Sequence, residues 1–434
     1  MTEEEGRQSP RALPTARAQP TGRGLRNVLA LIGDFVFFSV GFAFYDPLVV
    51  VPAFVSEFTG SELLVGLLSA LRVLFITVPQ IWAASVLEAQ PRMKPLLIWS
   101  SIGGRLPILL LAGAVMWLAD EHLGWVIATL ALSVIFFYTS EGLNGVSWPA
   151  LVGKVVPERF RGRFFGIGQL ISSLGSAGAG YLVNQILADE GLPLSTRWAL
   201  LFALAYAGLL LSVGSMTFIR EAPEDREPGK VDVRRSLGKM WAYLRHDRWL
   251  RRMILTQLIV FTASAVFGFF VVRARQIVPE GRSMVGTFVV LQSVGSAAAA
   301  LVGGTLVDRV GSWAAIRGAA FAELLALVAA TLAGLSGISL PLYLTAFFLM
   351  GYVNGTSWWS FTAYLLDVAP EARRPIYLAT SGVLVSVTAL NPVIVGALFE
   401  LLLPEVLFAG AGVLALLGLV VAWTLRGGRR FTCP

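Results

Sequence analysis

Cysteine and histidine are almost absent from this chain of 434 residues, which has one Cys, at position 433, and two His, at 122 and 246. A single cysteine excludes an intramolecular disulfide framework. Three such residues so far apart exclude a zinc site of the usual Cys/His spacing. Charge is scarce too: Asp, Glu, Lys and Arg make up 14% of the residues, against 56% hydrophobic ones, and the mean hydropathy is +0.72. Soluble domains carry about 45–50% apolar residues, so the chain reads as one dissolved in a bilayer. Soluble-enzyme signatures fail as well. Gly145-Val-Ser147-Trp-Pro149 lacks the closing Gly of a nucleophile elbow, and Gly166-Ile-Gly168 lacks the third Gly of a dinucleotide loop. No enzymatic activity, cofactor or metal is expected.

What is present is long apolar runs. Segments of about 20 residues or more, enough to cross roughly 30 Å as helix, recur near 28–54, 62–87, 96–118, 124–151, 164–188, 198–219, 252–275, 284–307, 313–335, 340–367, 376–402 and 405–425. They predict an all-α membrane protein with twelve transmembrane helices. Residues 1–27 read as a disordered tail, 28–219 as a first six-helix bundle, 220–250 as a central loop, 251–425 as a second bundle and 426–434 as a second tail. In the loop, Val233, Leu237, Met240, Trp241 and Leu244 lie at helical spacing among basic residues. That pattern suits an amphipathic helix on an anionic membrane face.

The net charge of +7 is informative through its location, and it is not read as nucleic-acid affinity. Arg92, Lys94, Lys154, Arg159, Arg161, Arg163, the Lys and Arg residues from Arg220 to Arg252, Arg309, Arg373, Arg374 and both tails fall on one set of loops. The alternate loops hold only Arg197, Arg282 and, at a helix end, Arg273 and Arg275. The positive-inside rule then puts both termini and the central loop in the cytoplasm, with the chain in the inner (plasma) membrane.

The two halves repeat one another. "NGVSW" at Asn144–Trp148 returns as "NGTSW" at Asn354–Trp358, and "VVPERFRGR" from Val155 corresponds to "VAPEARRPI" from Val368. "GGTLVDRVG" at Gly303–Gly311 stands where "AASVLEAQP" stands in the first half. Parallel six-helix repeats give two pseudo-symmetric bundles. With these motifs the sequence resembles the major facilitator superfamily, in its bacterial twelve-helix form, from about residue 28 onward. Gly304, Asp308, Arg309 and Gly311 match the family's loop signature, with Glu88 at the acidic position of a degraded first-half copy. Gly41 and Pro47 match its first-helix spacing. The fourth-helix pattern departs: Tyr138, Glu141 and Gly142 stand where the family has Arg, Gln and Gly. The resemblance implies a solute transporter that acts as a monomer, with Glu88, Gly304, Asp308, Arg309 and Gly311 at a cytoplasmic gate.

Ionisable groups inside a membrane cost several kcal/mol unless paired or hydrated. Asp34, Arg72, Arg105 and Glu141 are the first-half candidates, with Asp46 nearer the outer end, and Glu323 is the one acid well inside a second-half span. Helical rise puts Asp34, Arg105 and Glu141 roughly 12–20 Å from flanking basic residues, at similar depth. Two acids and two bases sum to zero, which suits a structural brace. Alternatively one acid, Glu141 first, releases its Arg and exchanges a proton. Tyr45, Tyr138, Asn144, Trp148, Phe261, Asn354 and Trp358 are expected to line a substrate cavity, because the family's first, fourth, seventh and tenth helices do so. The competing reading of the repeated strings is close helix packing by Asn-Gly and interfacial anchoring by Trp. Small residues every fourth position, Ser172, Ser176 and Gly180 and then Gly295, Ala299 and Gly303, are expected to bring helices five and eight together across the halves. Proton-coupled export of an amphipathic solute is the leading expectation. Proton-coupled import and a transport-inactive sensor or scaffold are the alternatives.

Overall fold

The computed structural model describes residues 22–88, 92–156, 158–221, 233–279, 284–369 and 374–425. These form helices, with no strand among the described residues. In chain order they are α1 (Gly22–Ala43), α2 (Val50–Phe58), α3 (Glu62–Glu88), α4 (Lys94–Leu118), α5 (Leu123–Val155), α6 (Glu158–Ala188), α7 (Leu194–Thr217) and α8 (Val233–His246). The second half continues with α9 (Arg248–Ala263), α10 (Gly268–Ile277), α11 (Val285–Arg309), α12 (Ser312–Leu335), α13 (Ser339–Val368), α14 (Arg374–Val385), α15 (Asn391–Leu401) and α16 (Pro404–Trp423).

Ten segments among the described residues are long and apolar enough to cross a bilayer. The 31-residue α6 and 30-residue α13 are long enough but diluted by Gly, Ser, Asn and Gln. Both pack among the spans, α6 against α1 and α11, α13 against α11 and α12. α1 begins at Gly22, inside the stretch read from sequence as a tail; residues 1–21, 222–232 and 426–434 lie outside the described residues.

Three spans are broken, which hydropathy did not foretell. The first divides between α1 and α2, where Asp46 Oδ1 accepts from the backbone N–H of Leu48 (2.9 Å) and Val49 (2.8 Å) and so caps α2. The seventh passes from α9 to α10 through a 3-10 turn at Ser264–Val266, and the eleventh from α14 to α15 through another at Ser386–Leu390. Interrupted helices in a membrane need their freed backbone groups satisfied by protein. Ser264 Oγ back-bonds to the Val260 carbonyl at 3.1 Å, and Thr388 Oγ1 to that of Val385 at 2.7 Å.

The packing obeys the repeat. In the first half α5 lies on α3 and α4, α7 on α1 and α4, and α6 on α1. In the second, α13 lies on α11 and α12, α16 on α9 and α12, and α14 on α9. Across the halves α6 meets α11 and α3 meets α15, one contact repeated under the pseudo-symmetry. Lipid tails are as apolar as the side chains, so such contacts depend on close packing and hydrogen bonds. A methyl group on Gly286 would overlap the Gly180 carbonyl, and one on Gly66 the Pro392 carbonyl. Helices five and eight therefore do meet, through Gly180 of the expected first ridge, but against Gly286 and Val290 rather than the expected second ridge. Gly295 and Gly303 face Phe348 and Trp359 of α13, and Ser176 donates to the Ser39 carbonyl of α1 at 3.0 Å. Four-residue spacing revealed where backbones approach closely without revealing the neighbour.

In α8, Trp241 is exposed, and the side chains of Val233 and Leu237 lie outside the described residues. Met240 is buried, and Tyr243 and Leu244 pack into the second-half core with Met253, Ile254 and Tyr377. Tyr243 and Tyr377 rings lie 5.6 Å apart, and Tyr377 Oη donates to Asp247 at 2.7 Å. Part of the apolar face thus docks on protein rather than on lipid. α8 marks one end of the bundle; the opposite one is called the far end below.

Candidate functional site

The polar side chains of the first half converge on one network. Asp34 of α1 accepts from Trp148 Nε1 of α5 at 2.7 Å and from Ser212 Oγ of α7 at 2.5 Å. Arg105 of α4 donates to the Leu209 carbonyl at 2.6 Å and to Ser212 Oγ at 3.2 Å. Its guanidinium lies 3.8 Å from Glu141 of α5 and 5.6 Å from the centroid of the Phe38 ring. Asn144 links the network to α4: Nδ2 donates to Ser101 Oγ at 3.0 Å and to Glu141 Oε1 at 3.3 Å, and Oδ1 accepts from Ser100 Oγ at 2.9 Å.

The two acids differ. Asp34 is buried and holds two short bonds, whereas Glu141 has longer contacts and an 18% exposed side chain. Arg72 does not join them. It acts electrostatically on Asp46 and Tyr138, and with both Tyr138 and Tyr45 lines a cavity at the break in the first span. The expected balance of two acids and two bases is therefore two acids and one base.

Of the residues expected around a substrate, Tyr45 is wholly buried, with its hydroxyl 2.7 Å from Ser133 Oγ. Tyr138 is buried, and its Oη has no hydrogen-bond partner among the described residues. Trp148 is held by Asp34, and Phe261 packs edge-on against Phe361 at 5.9 Å. Asn144 is buried in the network, while its repeat partner Asn354 is exposed. The side chain of Trp358 lies outside the described residues. The glycines of the two strings face equivalent crossings in the two halves, but unequally: Gly355 lies tight against Ser296 and Ala299 of α11, whereas Gly145 meets only the end of the exposed Gln80 side chain of α3. Tight packing accounts for Gly355 of the second copy, and the first copy adds a polar role through Asn144.

Hydrogen bonds and ion pairs between the halves gather toward the far end among the described residues. Arg275 of α10 pairs with Glu57 of α2 and donates to the Ala53 carbonyl. Gln292 Nε2 donates to Asp46 Oδ2 at 3.1 Å, Leu63 N to Glu400 Oε1 at 3.1 Å, and Asn184 Nδ2 to Thr287 Oγ1 at 2.5 Å. Sequence reasoning found Asp46 but no partner for it, since pairs across two repeats carry no spacing signal. In the second half, Glu323 of α12 is buried and accepts from Ser264 in the break of the seventh span. Its other oxygen has no partner among the described residues.

The model of the Major Facilitator Superfamily matches residues 34–379. The chain belongs to that superfamily. Among solved structures, a variant of the nucleoside transporter NupG is 11% identical with a TM-score of 0.68, covering 93% of this chain and 99% of that one. A bacterial homologue of the iron transporter ferroportin, in its inward-facing state, is 18% identical with a TM-score of 0.67, covering 92% and 98%. A D-xylose-proton symporter is 13% identical with a TM-score of 0.66, covering 92% and 97%. No curated protein sequence matches.

As a member of the Major Facilitator Superfamily the protein is a multi-pass membrane transporter of a small solute and not an enzyme. Of its loop signature, Gly311 takes φ of 119° at the start of α12, a conformation that favours glycine, and Arg309 is exposed at the end of α11. The side chains of Glu88 and Asp308, and Gly304, lie outside the described residues.

Proposed function

We propose that this transporter moves a small amphipathic organic solute by alternating access of its two halves, exporting it in exchange for protons. In this reading it acts as a monomer in the inner (plasma) membrane, with the α8 end and both termini in the cytoplasm. The observation that carries the reading is the network of Asp34, Arg105 and Glu141. A buried carboxylate and a partly exposed one act on a single buried guanidinium, and the cluster is neutral when it holds one proton. Uncompensated charge in such a place is costly, so a proton that comes and goes has a defined seat. Glu141 is the acid with access and weak contacts, and Asp34 the one fixed by its donors.

The aromatic surroundings, Phe38 under Arg105 and Phe261 against Phe361, favour a solute with an apolar surface. The far-end contacts suit a state closed on that side, with loading at the α8 end, where Asp308 and Arg309 would gate. The test is a panel of amphipathic solutes in proteoliposomes, with and without an imposed pH gradient. Movement of a panel member that depends on the gradient supports the proposal. Movement indifferent to the gradient refutes the coupling.

A further inference from the structure

At the α8 end of the first half, three helix ends are stapled together around an excess of positive charge. Glu221, just after α7, caps α4 by accepting from the backbone N–H of Met93 (2.9 Å) and Lys94 (2.8 Å), and it pairs with Lys154 at 3.1 Å. Lys94 Nζ caps α7, donating to the Thr217 carbonyl at 2.6 Å and that of Ile219 at 2.7 Å. Asn27 of α1 exchanges hydrogen bonds with the backbone of Arg220, at 3.0 Å and 2.9 Å. The one acid of the cluster among the described residues is therefore already occupied.

The arginines beside it have no acid partner among the described residues. Arg92 and Arg220 are exposed and line an open groove of about 520 Å³ with Lys94, Pro95 and Ile98. Arg26 lies close enough to Lys94 to repel it, and its Nε and one terminal nitrogen are buried without an acceptor among the described residues. Among the described residues, four cations (Arg26, Arg92, Lys94 and Arg220) thus gather about one acid, Glu221, which Lys154 already engages. Buried guanidinium hydrogens without acceptors are costly, and planar forks of this kind match phosphate oxygens. Beside the groove Trp99 is 73% exposed and Phe218 65% exposed. They stand near the ends of spans, where aromatic residues lie at the headgroup level.

We propose that this groove binds an anionic phosphate headgroup, that of a bilayer lipid whose acyl chains run along α4 and α7 past Trp99 and Phe218. Arg26, Arg92 and Arg220 supply the phosphate contacts, and the spare N–H of Lys94 a fourth. The site lies outside the Asp34–Arg105–Glu141 network and stands independently of the coupling mechanism. Bound lipid would brace α1, α4 and α7 where they are stapled.

The test is native mass spectrometry and thermal stability of the purified full chain, reconstituted from phosphatidylcholine vesicles with or without phosphatidylglycerol. Arg92→Gln with Arg220→Gln removes two exposed side chains, and Arg26→Gln is a separate variant. The wild type is expected to retain phosphatidylglycerol selectively and to be stabilised by it. Each removed guanidinium should cost roughly fivefold in retention, less at high salt. Inorganic phosphate that binds alone and displaces the lipid with the same dependence on Arg92 and Arg220 overturns the lipid assignment in favour of a soluble phosphate. Equal retention by the wild type and both variants overturns the site.

Discussion

Replacing Arg275 by Gln should loosen the far end. Its side chain is 6% exposed and its partner Glu57 19% exposed, and it also donates to the Ala53 carbonyl across the halves. Hydrogen bonds to charged groups contribute about 1.5–3 kcal/mol each. Glu57 is near enough to water to regain part of its hydration, and a Gln amide recovers one contact, so a net loss of about 2 kcal/mol is expected for the closed far end. That is about a 30-fold shift in the ratio of closed to open. Spin labels at Leu63 and Leu401, exposed on opposite halves at that end, report the separation directly. A longer distance population should appear or grow in Arg275→Gln and shrink when Glu57 is also changed to Gln with its charge removed. Identical distance distributions in the wild type and Arg275→Gln would refute the view that this pair holds the halves together.

Gly286→Val places a branched side chain against the Gly180 carbonyl and Asn184, an overpacking expected to cost about 1–3 kcal/mol. The same spin-label pair should show the far end opened, and an unchanged distance would contradict the close crossing of α6 and α11. Trp148→Phe keeps the ring contacts with Phe35 and Phe164 but loses the bond to Asp34, about 1.5–3 kcal/mol. A lowered thermal midpoint with reduced transport is expected, and a wild-type midpoint would contradict the bracing role of Asp34. With Cys433 replaced, single cysteines at Lys230 and Arg430 should resist an impermeant reagent added outside intact cells, and labelling there would reverse the assigned orientation.

The all-α membrane fold and the repeat were legible because lipid imposes length and apolarity on most crossings, and because the two strings kept their residues. Rotation about each helix was not. Helical rise gave Asp34, Arg105 and Glu141 similar depths, but only packing decides that Arg105 turns to Glu141 while Arg72 lies near enough to Asp46 to act on it electrostatically. The break in the first span had a local sign in Asp46-Pro47. The break at Ser386–Leu390 likewise had one in Asn391-Pro392, whereas the break at Ser264–Val266 lies in sequence with little to mark it. The ion pair of Glu57 with Arg275 joins residues more than two hundred apart in different repeats, a proximity that no spacing rule encodes.

Glu141 is the seat of coupling in this account, and Glu141→Gln tests it with little change of shape. The amide keeps the contact with Asn144 and lacks the carboxylate that Arg105 faces. In proteoliposomes carrying a pH gradient, the variant should fold, insert and still exchange solute down its gradient, while proton-driven accumulation is lost. Uphill transport at the wild-type rate by Glu141→Gln would contradict it.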